Sequence, residues 1–150
     1  MSLKQTKIID KLLNLAATSK IINKHSCCIA SGSKILVSSI NTNRTKFKGN
    51  IYCCGHSEIN CIHKWNTSAL GLRKRRKMNK LTMYIVRNSR GRLGNSAPCL
   101  ICYKNILKSG IKKIVYSTNE GIINCNINNY NTNHLSSGML MNMDKCKIKK

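Results

Sequence analysis

Apolar residues near the start of the chain fall at Ile8, Ile9, Leu12, Leu13 and Ala16, the three- and four-residue steps that place side chains on one face of a helix. This spacing predicts an amphipathic helix over about 5–18, laid against one face of a sheet. Two short apolar runs follow at 27–30 and 34–40, and Ser31-Gly32-Ser33 lies between them. Strand-length runs flanking a turn-forming tripeptide read as an antiparallel hairpin. From His56 to about Leu70 the helical step returns in Ile59, Ile62, Trp65 and Ala69, predicting a second helix with one apolar face. The run Arg73-Lys74-Arg75-Arg76-Lys77 then interrupts the pattern with charge.

The remainder alternates. Residues 81–86 form a continuous apolar run of strand length, and 88–97 are rich in turn formers, predicting a strand and a loop. Pro98 is suited to the first position of a helix, where its missing N–H costs nothing. A third helix is therefore expected over about 99–109, with Gly110 as its stop. Residues 111–117 and 121–127 bracket Thr118-Asn119-Glu120 and predict a second hairpin. A strand, helix, strand succession implies a parallel pair joined by a right-handed crossover. The expected fold is α/β in three layers, with a mixed five-stranded sheet and helices on both faces. One domain over 1–127 is expected, followed by an Asn- and Lys-rich tail over 128–150 that is partly disordered.

Length agrees with this, since 150 residues suit one compact domain with a substantial core. The first twenty residues interleave Lys and Asp with apolar positions and lack the unbroken apolar stretch of a signal peptide. No run is long and apolar enough to span a membrane. Nine cysteines without an export signal belong in a reducing compartment, where thiols are more often free, metal-bound or catalytic than paired. An intracellular, cytoplasmic location is expected, with a nuclear one open through the basic run from Arg73 to Lys80. Cys27, Cys28, Cys61 and Cys125 read as small buried hydrophobes.

Charge widens the list of partners. The chain carries 27 Lys and Arg against 4 Asp and Glu, a net charge of +23, and such a field attracts anions. Part of the excess follows from a chain rich in Lys, Asn and Ile. Phosphorylated small molecules and nucleic acid are both candidate partners. The carboxylate side chains are Asp10, Glu58, Glu120 and Asp144, so any acid–base chemistry on a carboxylate has few candidates.

The most informative text is His56-Ser57-Glu58 taken with Pro98-Cys99-Leu100-Ile101-Cys102. An H-x-E followed by P-C-x-x-C resembles the signature of the zinc-dependent cytidine and deoxycytidylate deaminase superfamily. The likeness covers about residues 5–127 and holds in the order of elements as well as in the motif. It implies Zn²⁺ held by His56, Cys99 and Cys102, with Glu58 moving protons. The spacing makes physical sense. Cysteines at i and i+3 share one face of a helix, and the dipole at its first turn favours thiolate. A neutral imidazole from a different helix brings the protein ligands to three and leaves the fourth tetrahedral position for water, the catalytic pattern. Glu58 is near enough to act as general base and then general acid.

The resemblance also implies that Asn41, directly after the second strand, contacts the substrate sugar, with Asn43 in that role if the alignment slips by two. Ser57 stands where Ala is commoner in the family. The 39 residues between Glu58 and Pro98 make a long spacer, consistent with an insertion around 73–80. The implied reaction is hydrolytic deamination of a cytosine nucleotide or nucleoside to the uracil form with release of ammonia, and relatives commonly form homo-oligomers.

Two rivals stay open on the sequence. The net charge suits a deaminase of bases in RNA or single-stranded DNA, although five Tyr, one Trp and one Phe are few for stacking bases. A non-catalytic basic zinc module would use Cys53, His56, Cys99 and Cys102 as a closed four-ligand site, which leaves Glu58 without a task. His63 and His134 read as ordinary surface or core residues.

Overall fold

The structure, a computed structural model, describes residues 1–43, 46–47, 50–51 and 55–136. Helix α1 (Leu3–Ala17) leads into strands β1 (Lys24–Ser31) and β2 (Lys34–Ile40). A two-residue pair follows, β3 (Lys46–Phe47) and β4 (Asn50–Ile51). Next come α2 (Ser57–Thr67), α3 (Ala69–Lys74) and a 3₁₀ turn at Arg75–Lys80. Strands β5 (Thr82–Ser89) and β6 (Arg92–Gly94) precede α4 (Leu100–Ser109), and β7 (Lys113–Thr118) and β8 (Gly121–Asn126) complete the sheet. A last 3₁₀ turn spans Ile127–Asn129.

The main sheet runs β2-β1-β5-β7-β8, with β6 paired to β5 as a sixth strand. Both hairpins expected from sequence are present, β1 with β2 and β7 with β8, each antiparallel. β5 and β7 are parallel, as strands bridged by a helix should be. The sheet differs from the five-stranded expectation in one place. Residues 92–94, expected within a loop, pair with β5 from Arg87 opposite Gly94 to Ser89 opposite Arg92.

Alternation along the strands sorts two cores onto the two faces. Cys27, Ile29, Met83, Ile85 and Ile114 point to one side, where they pack with Cys61 and Trp65 of α2 and Ile106 of α4. Cys28, Ala30, Tyr84, Val86 and Val115 point to the other, against Ile8, Ile9 and Leu12 of α1. The three layers follow from this, since each face is apolar and needs cover. Cys27, Cys28 and Cys61 are fully buried as expected, whereas Cys125 on the edge strand is only half-buried.

Local signals set the helix ends. Ser2 and Gln5 form a reciprocal capping box at α1, which satisfies two otherwise orphaned N–H groups. Gly110 ends α4 at φ 85°. The start of α4 corrects the sequence expectation: Leu100 is its first helical residue and Cys99 its N-cap, so Pro98 stands one position before the cap. The carbonyl of Pro98 instead accepts a 2.6 Å hydrogen bond from the Tyr130 hydroxyl.

Candidate metal centre and its cavity

His56 and Cys99 are both N-caps, one of α2 and the other of α4. An N-cap residue leaves the helical path with its side chain turned toward the first turn. From Cys99 that direction leads to Cys102, the third helical residue, so the Cys-x-x-Cys spacing here is that of N-cap to N3. The two helix beginnings converge. His56 Nδ1 lies 3.2 Å from Cys102 Sγ and 3.6 Å from Cys99 Sγ, and the three donor atoms lie within 4.8 Å of one another. Among the described residues this is the one group of three or more His, Cys, Asp or Glu side chains able to hold an ion.

The contact between the two thiols moves their acidities in opposite directions. Cys99 is pulled down to about 4, first by the hydrogen bond from Cys102 and next by that with His56, against burial. Cys102 is held well above the ordinary thiol range, first by the same contact with Cys99 and then by burial. An acidified thiol beside a second sulfur and an imidazole nitrogen is a donor set suited to a soft divalent cation. The residues fit zinc.

Glu58 sits in the first turn of α2, buried, and accepts a 3.0 Å hydrogen bond from the Ser57 hydroxyl. It lines a cavity of about 370 Å³ together with His56 and Cys99. Asn41 is on the same wall. Its Oδ1 accepts from the Ser19 hydroxyl at 2.6 Å and from the His25 N–H at 3.0 Å, and its Nδ2 donates to Asn23 O at 2.6 Å. Its orientation is therefore fixed from three sides.

Asn60, one turn into α2, ties the metal side to the Asn41 side. Its Nδ2 donates to Ile40 O at 2.8 Å and to Gly55 O at 3.2 Å. Gly55 and Thr42 exchange backbone hydrogen bonds of 2.8 and 3.0 Å. A second network carries the loop that leads to Cys99. The Ser96 hydroxyl donates to Ile85 O at 2.8 Å, and the Ser96 N–H donates to Ser117 O at 2.8 Å. The Ser117 hydroxyl donates in turn to Gly94 O at 2.7 Å.

His56, Glu58, Cys99 and Asn41 line this cavity, and Cys102 joins His56 and Cys99 in the donor cluster beside it. Others had no signal: Asn23, His25, Arg87 and His134 also line the cavity and come from three separate segments, the start of β1, the end of β5 and the chain after β8. His134, expected to be an ordinary residue, accepts through its carbonyl from Leu100 N–H at 2.8 Å and so satisfies an orphan donor of α4. Asn43 does not line the cavity. Cys53, needed for a closed four-ligand site, lies outside the described residues, as do 137–150 of the tail.

The sequence profile of the cytidine and deoxycytidylate deaminase zinc-binding region matches residues 3–118, more than half of the chain. The chain belongs to this deaminase family. Its cofactor is zinc, by the family's zinc-binding region and by the His56, Cys99 and Cys102 donor set. Curated protein sequences gave no match. Among solved structures, the deaminase is similar to cytidine deaminase from Burkholderia pseudomallei, at 14% identity and a TM-score of 0.60, over 90% of this chain and 100% of that one. It is also similar to dCMP deaminase from the cyanophage S-TIM5. The apo form matches at 20% identity and a TM-score of 0.50, over 77% of this chain and 84% of that one. The complex with dCMP and dUMP matches at 18% identity and a TM-score of 0.51, over 77% and 82%. These likenesses concern the fold.

Two features bear on the other expected partners. Trp65, Tyr84 and Tyr130 of the deaminase are buried, and the rings of Tyr103 and Tyr116 pack on Tyr130 at 5.5 and 5.8 Å. These described aromatics build the core and are not laid out as a platform for stacked bases. Among the described residues, no helix is long and apolar enough to cross a membrane.

Proposed function

We propose that this deaminase hydrolyses the amino group of cytosine in a free nucleotide or nucleoside, giving the uracil form and ammonia. His56, Cys99 and Cys102 hold the zinc, and Glu58 is the proton carrier. The observation that carries the reading is the convergence of one imidazole nitrogen and two sulfurs within 4.8 Å, with Glu58 on the wall of the adjoining cavity. Zinc held by these residues would supply Lewis acidity and lower the pKa of a water to about 7. Glu58 takes one proton from the attacking water and gives it to the ring, then takes the remaining hydroxyl proton and gives it to the departing amine. Overall, water adds at the ring carbon bearing the amine, the carbon–nitrogen bond breaks, and ammonia leaves. Burial of Glu58 and its contact with Ser57 hold the carboxylate facing this chemistry.

Asn41 takes the sugar. An amide nitrogen has two hydrogens, and its bond to Asn23 O uses one of them, leaving the other for a ribose or deoxyribose hydroxyl. Residues 1–127 form the catalytic domain on this reading, and the stretch that follows supplies His134 and Ser136 to the cavity wall. The volume of about 370 Å³ lies in the range that encloses small ligands.

The test is ammonia release and uracil formation from cytidine, deoxycytidine and their monophosphates, using zinc-loaded protein. Turnover of at least one supports the assignment. A fully metallated protein inert toward all four overturns it.

A further inference from the structure

Arg87 is seated in a way that surface arginines are not. It lies in β5 with His25 of β1 as its register partner on one side and Gly94 of β6 on the other. A Cβ on Gly94 would come within 3.1 Å of Arg87 Cδ and 3.2 Å of Cγ. The arginine stem therefore crosses bare glycine backbone, a passage that any side chain there would crowd. At the far end, Nη2 donates to Asn23 Oδ1 at 2.9 Å. Stem and head are both held, and the residue is half-buried on the wall of the cavity that contains His56, Glu58 and Cys99.

Among the described residues lining that cavity, Arg87 is the one Lys or Arg, and Glu58 is the one carboxylate. The partner that holds the guanidinium is a neutral amide, so its charge is oriented without being neutralised. A guanidinium presents five N–H donors in a planar fork that matches a phosphate, and fixing the fork beforehand removes most of the ordering cost of using it.

We propose that the Arg87 guanidinium, seated over Gly94 and held by Asn23, anchors the phosphate of the substrate, so that the deaminase acts on a nucleoside monophosphate in preference to a nucleoside. This rests on the cytosine-deaminating reading of the same cavity. Arg87 is the specificity-determining residue, and Gly94 and Asn23 position it.

The test is equilibrium binding of CMP and of cytidine to zinc-loaded Glu58→Gln protein, where turnover does not intervene, alone and combined with Arg87→Gln, Arg87→Lys or Gly94→Ala. CMP is expected to bind at least about tenfold more tightly than cytidine, since charge-assisted hydrogen bonds are worth about that much or more. Arg87→Gln is expected to lower the CMP-to-cytidine ratio about tenfold or more, Gly94→Ala to lower it in part, and Arg87→Lys to keep part of it. The ratio within each variant is the readout, because a general loss of folding or metal moves both ligands together. No preference for CMP, or a preference that survives Arg87→Gln, overturns the proposal and assigns any affinity for phosphate to the diffuse charge of the chain. CMP preference without ammonia release from the unmutated protein leaves the anchor standing and removes the proposed reaction. Ammonia release without CMP preference does the reverse.

Discussion

His56 Nδ1 and Cys102 Sγ lie 3.2 Å apart across 46 residues of sequence, and the contact joins the beginnings of two helices that pack on the same face of the sheet. Because Cys99 joins them from the cap position of α4, removing either sulfur leaves a two-ligand site. Cys99→Ser and Cys102→Ser are each expected to purify with little bound zinc, and His56→Ala likewise. Metal analysis after gel filtration, read beside the circular dichroism spectrum, checks this. Stoichiometric zinc in any of the three would mean that the ion is held elsewhere.

Glu58 is set apart from the ligands by its chemistry as well as its place. It is buried, hydrogen-bonded to Ser57, and on the cavity wall. Glu58→Gln keeps shape and hydrogen-bonding capacity but cannot carry the proton. Turnover is expected to fall by about 10²- to 10⁴-fold, the usual worth of a positioned acid–base group, while zinc content and melting temperature stay close to those of the unmutated protein. Retained activity would remove Glu58 from the mechanism.

Gly55 precedes the ligand His56 and leaves no room for a side chain. A Cβ there would lie 2.7 Å from Thr42 Oγ1 and 3.0 Å from Asn60 Oδ1, in the clamp that ties α2 to the end of β2. Gly55→Ala must push that clamp apart, and overpacking of this kind costs about 1–3 kcal/mol. A lowered melting temperature with a weakened hold on zinc is the expected result. Thermal melts with and without a chelator measure both, and an unchanged pair of melts would show that the clamp yields freely.

Much of this arrangement was legible in the sequence because its signals are local. Cys99 and Cys102 stand three apart, His56 and Glu58 two apart, and the order Cys27, Cys28, Ile29, Ala30 already encodes a strand buried on both faces. β6 was not legible. Arg92-Leu93-Gly94 carries no apolar run, and its strand character comes from pairing with β5, a tertiary effect. Pro98 reads as the opening of α4 because proline favours the first helical position, but Cys99 takes the cap and Leu100 is the first helical residue. The cavity wall was the least legible part. Asn23 and His25, Arg87, and His134 lie far apart in sequence, and what unites them is that the start of β1, the end of β5 and the chain after β8 meet at one place.

His25 gives the site a dependence on pH. Its Nδ1–H donates to Asn23 O at 3.0 Å, which assigns the tautomer of the neutral ring. Burial pushes its pKa below the ordinary 6.5, opposed by the Glu58 charge and the Asn23 hydrogen bond, while Arg87 and His56 add to the lowering. The groups facing it are thus one carboxylate, one guanidinium and one imidazole. With the folded pKa below the unfolded value, the unfolded chain binds the proton more readily, so stability is complete above 6.5 and is lost as pH falls below it toward the folded pKa. Melting temperature is therefore expected to decline as pH drops from 6.5, and His25→Gln, which cannot titrate, to flatten that decline. Melts of zinc-free protein across this range isolate the effect from metal release, and an equal decline in both proteins would place the titrating group elsewhere.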